Sequence, residues 1–146
     1  MSVFEPARSP WPDRMLSVLR IVAAMLFILH GAQKIFGVPA GPQPHKPFVL
    51  MTQIGVAGTL ELFGGLALLV GVYTRPIAFV LAGEMAVAYF QVHFPRSFFP
   101  ILSGGDTPVL FCFIFLFLAV AGAGDWSVDA LIRQARGNTA SQPHTS

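Results

Sequence analysis

The chain has 146 residues, 54% of them hydrophobic and 11% charged, and its mean hydropathy is +0.66. Soluble domains carry about 25% charged residues, so a water-soluble globule is not expected, and 14 Phe among long aliphatic runs exclude intrinsic disorder. A net charge of +2 without a basic cluster excludes a nucleic-acid surface, and the single cysteine, Cys112, excludes an intrachain disulfide, a CxxC redox pair, a thiolate zinc site and a CxxCH haem attachment.

The length fits one domain. A membrane-spanning helix needs about 20 mostly apolar residues, and four segments qualify. The first runs from Met15 to Phe36, after an N-terminal segment, residues 1–14, that carries Pro10, Trp11 and Pro12. Gly37 to Pro44 is a Pro- and Gly-rich loop that cannot continue a helix. The second segment runs from Leu50 to Tyr73 and is broken only by Glu61. Thr74-Arg75-Pro76 reads as a tight turn, with Pro76 suited to a first helical turn. The third segment, Ile77 to Phe94, is broken by Glu84. Ser103-Gly104-Gly105-Asp106 marks another loop, after which Asp106 or Thr107 is expected to cap the fourth helix, with Pro108 at its first position.

The fourth segment, Pro108 to Gly124, has no charge. Phe111, Phe113, Phe115 and Phe117 alternate in it as a strand would, but a lone strand leaves its backbone unpaired in lipid. The residues between them are apolar too, as on a lipid-facing helix. The predicted fold is therefore all-α: an integral membrane four-helix bundle over residues 15–132, followed by a flexible tail, 133–146. A cleaved signal peptide is the rival reading of the first segment. Against it, the run continues into a polar, helix-compatible stretch with no A-x-A-type site.

Lys and Arg counts in short loops set orientation. Arg8, Arg14, Arg20, Arg75, Arg133 and Arg136 fall on one side, and Lys34, Lys46 and Arg96 on the other. Both termini are expected in the cytoplasm, with Trp11 and Trp126 near the headgroups at that side.

Ionisable groups inside a membrane are costly and point to function. Here they are Arg20, His30, Lys34, Glu61, Glu84 and His93. Glu61 and Glu84 sit near the middle of antiparallel helices, at similar depth, where they would share a proton or a cation. Gly58 and Gly65 lie on the face of Glu61 and admit a neighbouring helix. Glu84 shares a stripe with Val80, Ala88 and Gln91.

Arg20, Ala23, Phe27, His30 and Lys34 recur at spacings of three and four, so they form one face. Arg20 is either the counter-ion of Glu61 or Glu84, or a side chain snorkelling to the headgroups. Lys34 is expected to snorkel. His30 and His93, on two helices, would suit a b-type haem. The favoured reading is that His93, before Phe94-Pro95, ends its helix at the interface.

Several motifs go together. His30-Gly31-Ala32-Gln33-Lys34-Ile35-Phe36-Gly37 closes the first segment. Gly58-Thr59-Leu60-Glu61-Leu62-Phe63-Gly64-Gly65, with Gly71 and Thr74-Arg75-Pro76, fills the second. Glu84 to Phe90 and His93 follow, then Ser103-Gly104-Gly105-Asp106, and then Gly122 to Leu131 with Trp126-Ser127-Val128-Asp129 at its centre. Over residues 15–132 the chain resembles the DoxX family of small bacterial membrane proteins. Ser103 and Asp106 replace the Asn and Glu of that family's NGGE loop. The resemblance implies a four-helix protein of the bacterial inner membrane. It also implies association with thiosulfate:quinone oxidoreductase subunits or with membrane assemblies that handle oxidative or thiol stress.

The first functional expectation is a redox-associated subunit that touches quinone. Glu61, Glu84, His30 and Arg20 would move protons, and His30, Gln33, Lys34 and His93 would hold the cofactor. Phe27, Phe63 and Phe90 would flank the ring. The sequence shows no flavin, iron–sulfur or metal signature, so the electrons would come from a partner protein. A small proton-coupled transporter and an assembly subunit without chemistry are the alternatives. The expected partners are the lipid bilayer, a redox partner protein and a second copy in a homodimer, with no nucleic acid.

Overall fold

The computed structural model describes residues 9–41, 45 and 47–140. Every regular element among them is helical: α1 (Trp11–Phe36), α2 (Gln53–Val70), α3 (Thr74–Ala88), α4 (Pro100–Ser103), α5 (Asp106–Ala121) and α6 (Val128–Ala140). Arg8 and Lys46, two of the charges behind the orientation expected from sequence, lie outside the described residues, as do residues 141–146 of the tail.

Three helices are long and apolar enough to cross a membrane: α1, α2, and α3 with its continuation to His93. The 16-residue α5 is apolar but shorter; at 1.5 Å per residue it spans about 24 Å.

Helix ends follow local chemistry. α1 begins at Trp11, earlier than hydropathy alone places it, because Pro12 suits a helix start and Asp13 complements its positive end. Thr52 caps α2 by accepting from the Gly55 amide. Gly71 then ends α2 at φ +72°, donating to the Ala67 and Leu68 carbonyls while Val72 also reaches Ala67. That closure needs the left-handed region, which glycine enters freely.

The turn is thus Gly71-Val72-Tyr73, and Thr74-Arg75-Pro76 forms the first turn of α3 instead of preceding it. At its other end α3 widens into a π turn, Tyr89–His93, before Pro95 stops it. α5 starts two residues before Pro108, the first position expected. Gly105 is its cap, Asp106 its first residue, and Pro108 its third. α6 continues through Gly137 to Ala140, so residues 133–140 are helical where a flexible tail was expected.

α1 packs along α2, and α3 along α5; α2 and α3 join the two pairs. The first contact is close because it is made of glycine. A Cβ on Gly31 would meet the Leu62 nitrogen at 2.5 Å, and one on Gly65 would meet Ile28 at 2.8 Å. The core holds Ala23, Ala24 and Phe27 of α1, Leu68 of α2, Leu81 and Met85 of α3, and Phe111 and Phe115 of α5. Phe27 sits with ring centroids 5.4 Å from Phe111 and 4.8 Å from Phe115. Phe113 and Phe117, the other half of the alternation, face outward with Val22, Met25 and Leu29.

Candidate functional site

The intramembrane charges form two separate groups. Arg20 and Lys34 share α1 but stand about 20 Å apart along it. The cluster of interest gathers around Lys34.

Lys34 on α1 forms an ion pair with Glu61 on α2. The glycines set this up: Gly31 lets α2 approach, and Gly58, one turn before Glu61, lies under the Lys34 Cβ. Glu61 is 2% exposed and Lys34 34%, so the pair is sheltered on the carboxylate side and open on the ammonium side. Lys34 therefore bonds inward and does not snorkel, because a carboxylate within reach outcompetes distant headgroups. Glu84 on α3 lies within electrostatic reach of both Glu61 and Lys34. His30, one turn before Lys34, interacts with Glu61 in the same way. Its ring is exposed and lies edge-on to Phe111 at 6.1 Å.

Three buried carboxyl oxygens in this cluster have no hydrogen-bond partner: Oε2 of Glu61 and both oxygens of Glu84. Buried polar atoms are ordinarily satisfied. A site with three open acceptor positions beside a cation is chemically competent to take a proton, or to bond a polar ligand that enters from the side.

Arg20 is elsewhere. It is fully buried and bonds to four backbone carbonyls. Its Nε donates to Ala123 O at 2.9 Å, Nη1 to Leu69 O at 2.6 Å and to Leu68 O, and Nη2 to Trp126 O. It neither pairs with Glu61 or Glu84 nor reaches for headgroups. The carbonyls at the α2 C-terminus carry the negative end of that helix and keep acceptor capacity, so a planar cation with several N–H groups fits them. Arg20 fastens α1, α2 and the segment after α5 together, and it leaves the proton-moving set.

The remaining nominees divide. Gln33 Nε2 donates to Pro39 O at 3.2 Å, in the loop after α1. His93 Nδ1 bonds Ser103 O at 2.9 Å, and its Cβ packs on Gly105, so it is engaged with the α4–α5 loop. Phe27 is core and does not flank a ligand, whereas Phe63 and Phe90 are exposed. Among the described residues no group of three or more His, Cys, Asp or Glu could hold a metal ion.

Sequence reasoning missed the polar residues around Arg20. Asp129 accepts from the Tyr73 and Thr74 amides at 3.0 and 2.9 Å, capping α3 from a distant element. Ser127 accepts from Ala130 N and starts α6. Its position two residues before Asp129 is a helix-start signal visible in the sequence. Ser17 accepts from Trp126 N, which ties α1 to the same segment.

A family model described as DoxX matches residues 15–94. The chain belongs to the DoxX family. A relative from Haemophilus influenzae, named "Uncharacterized protein", is 39% identical over 117 residues, covering 78% of this chain and 87% of its own. Another, from Escherichia coli, is named "Inner membrane protein YqjF" and is 34% identical over 135 residues, covering 80% of this chain and 91% of its own. No solved structure matches the chain. The matched DoxX region contains His30, Lys34, Glu61 and Glu84, the whole of the Lys34 cluster.

Proposed function

We propose that this DoxX protein is a redox-associated, multi-pass subunit of the bacterial inner membrane, in which the Lys34–Glu61–Glu84 cluster exchanges protons with a quinone or a quinone-linked partner. The observation that carries this reading is the set of three partnerless carboxyl oxygens, one on Glu61 beside the one-third-exposed Lys34 ammonium and two on Glu84 of the adjoining helix α3. In this reading α5 completes a four-helix crossing, and both termini lie in the cytoplasm. The excess of Arg at the termini and the α2–α3 turn supports that orientation.

Reduction of a quinone to a quinol takes two electrons and two protons. A redox partner protein supplies the electrons. Lys34 or His30 donates a hydrogen bond to one carbonyl oxygen, and Glu61 and Glu84 pass protons to the oxygens. Phe63 and Phe90 are exposed and would be available to an isoprenoid ligand arriving from the acyl chains.

The test is extraction of bound quinone from the protein purified in mild detergent, for wild type, Glu84→Gln and Lys34→Met. The expected result is quinone in stoichiometric amount from wild type and a several-fold loss in both variants, with folding retained for Glu84→Gln. Equal quinone in all three refutes the proposal. Substrate-dependent proton uptake into vesicles by wild type, with no quinone bound, would point to a proton-coupled transporter instead.

A further inference from the structure

We propose that α6 lies on the membrane surface as an anionic-lipid-binding helix, its apolar side in the bilayer and its arginines on phosphate headgroups. This rests on the chain's being a membrane protein and not on the quinone reading.

The start of α6 is fixed. Asp129 N donates to Gly71 O at 2.9 Å, its carboxylate holds two amides of the α2–α3 turn, and Ala130 is buried. α6 follows the end of α5 at Ala121 after six residues, 122–127, a segment itself tied to Arg20 and Ser17. The helix therefore leaves the bundle close to one end of the spans, at the membrane boundary.

Along α6, Val128, Leu131 and Ile132 form an apolar side that is exposed among the described residues. They recur at spacings of three and four, and Leu131 is 64% exposed. An exposed indole, Trp126, precedes them. Such a side needs an occupant, and charge selects it. Asp129 is consumed in capping, and residues 130–140 contain Arg133 and Arg136 with no acid. An apolar side with cations alongside and an indole at its start is the composition of a helix lying in the headgroup zone, and the cations favour negatively charged lipids. A second copy presenting this same surface would set like charges against each other.

The experiment uses the full-length chain with Cys112→Ser, reconstituted in phosphatidylcholine vesicles with or without phosphatidylglycerol. Single nitroxide labels are placed through Leu131→Cys, Ile132→Cys, Gln134→Cys and, as a control on α1, Met25→Cys. Collision with oxygen reports lipid, and collision with a water-soluble nickel chelate reports water. The expected result is that labels at 131 and 132 favour oxygen in phosphatidylglycerol vesicles while the label at 134 favours nickel. The preference at 131 and 132 should shrink in phosphatidylcholine alone. Adding Arg133→Gln and Arg136→Gln should remove the difference between the lipids. Nickel access at 131 and 132 equal to that at 134 in both lipids overturns the proposal. So does spin–spin broadening at 131 that disappears on dilution with unlabelled protein, which would place a second copy on this side. A control label at Met25 that reports water would overturn the membrane reading itself.

Discussion

Replacing Arg20 with Met keeps the aliphatic volume and removes every donor. The guanidinium bonds four carbonyls, of Leu68, Leu69, Ala123 and Trp126. Leu68 O also accepts from Gly71 N, so the loss falls on the other three. A buried acceptor left without a partner costs about 1–3 kcal/mol. Water can enter near a helix terminus, so the lower part of that range applies. Three carbonyls at about 1–1.5 kcal/mol each give a destabilisation of about 3–4.5 kcal/mol. Lys at this position keeps the charge but concentrates its donors on one atom, so it should recover only part of the loss. Unfolding of the purified protein by denaturing detergent, followed by circular dichroism, measures this. An Arg20→Met variant within about 1 kcal/mol of wild type would refute the assignment of Arg20 as the fastener. So would a loss restored by adding Glu61→Leu, because that would make Arg20 a counter-ion after all.

Lys34→Met strands Glu61 in its 2%-exposed position and should cost about 3–5 kcal/mol, whereas Lys34→Met with Glu61→Leu should cost less than Lys34→Met alone; a double-mutant cycle in the same unfolding assay reads the coupling. Gly31→Ala drives a methyl onto the Leu62 backbone at 2.5 Å and should destabilise by about 1–3 kcal/mol. Gly83→Ala meets nothing within 4 Å and should be neutral or stabilising by up to about 1 kcal/mol, from helix propensity; equal melting temperatures for the two variants would contradict the close α1–α2 contact. Asp129→Ala removes the acceptor of two α3 amides and should cost about 1–2 kcal/mol, with faster hydrogen exchange at Tyr73 and Thr74 as the local readout.

The helices were legible because hydropathy is a property of neighbouring residues along one segment. The runs around Ala23, Leu68, Leu81 and Phe115 announce themselves without knowledge of the fold. So did the sheltered position of Glu61, since Gly58 and Gly65 on its face make the groove that receives α1. The nearness of Glu84 to Glu61 followed from the short connection between their helices. Helix starts were less legible. The sequence offers Asp106 or Thr107 as the cap of α5, but the backbone turns at Gly105, and the α6 start at Ser127 goes unassigned because the polar residues from 133 onward read as tail.

The partners of Arg20 and Lys34 were not legible at all. By itself the sequence determined that this is an apolar helical protein with acidic groups in mid-span, because those features depend only on which residues occupy one stretch of chain. Only the tertiary structure decided that Lys34 takes Glu61 while Arg20 takes four carbonyls. Those choices depend on the register of α1 against α2 and on where residues 123 and 126 return. A main-chain carbonyl accepts a hydrogen bond equally well whichever residue carries it, so nothing in the lettering of the chain marks it as the destination of an arginine.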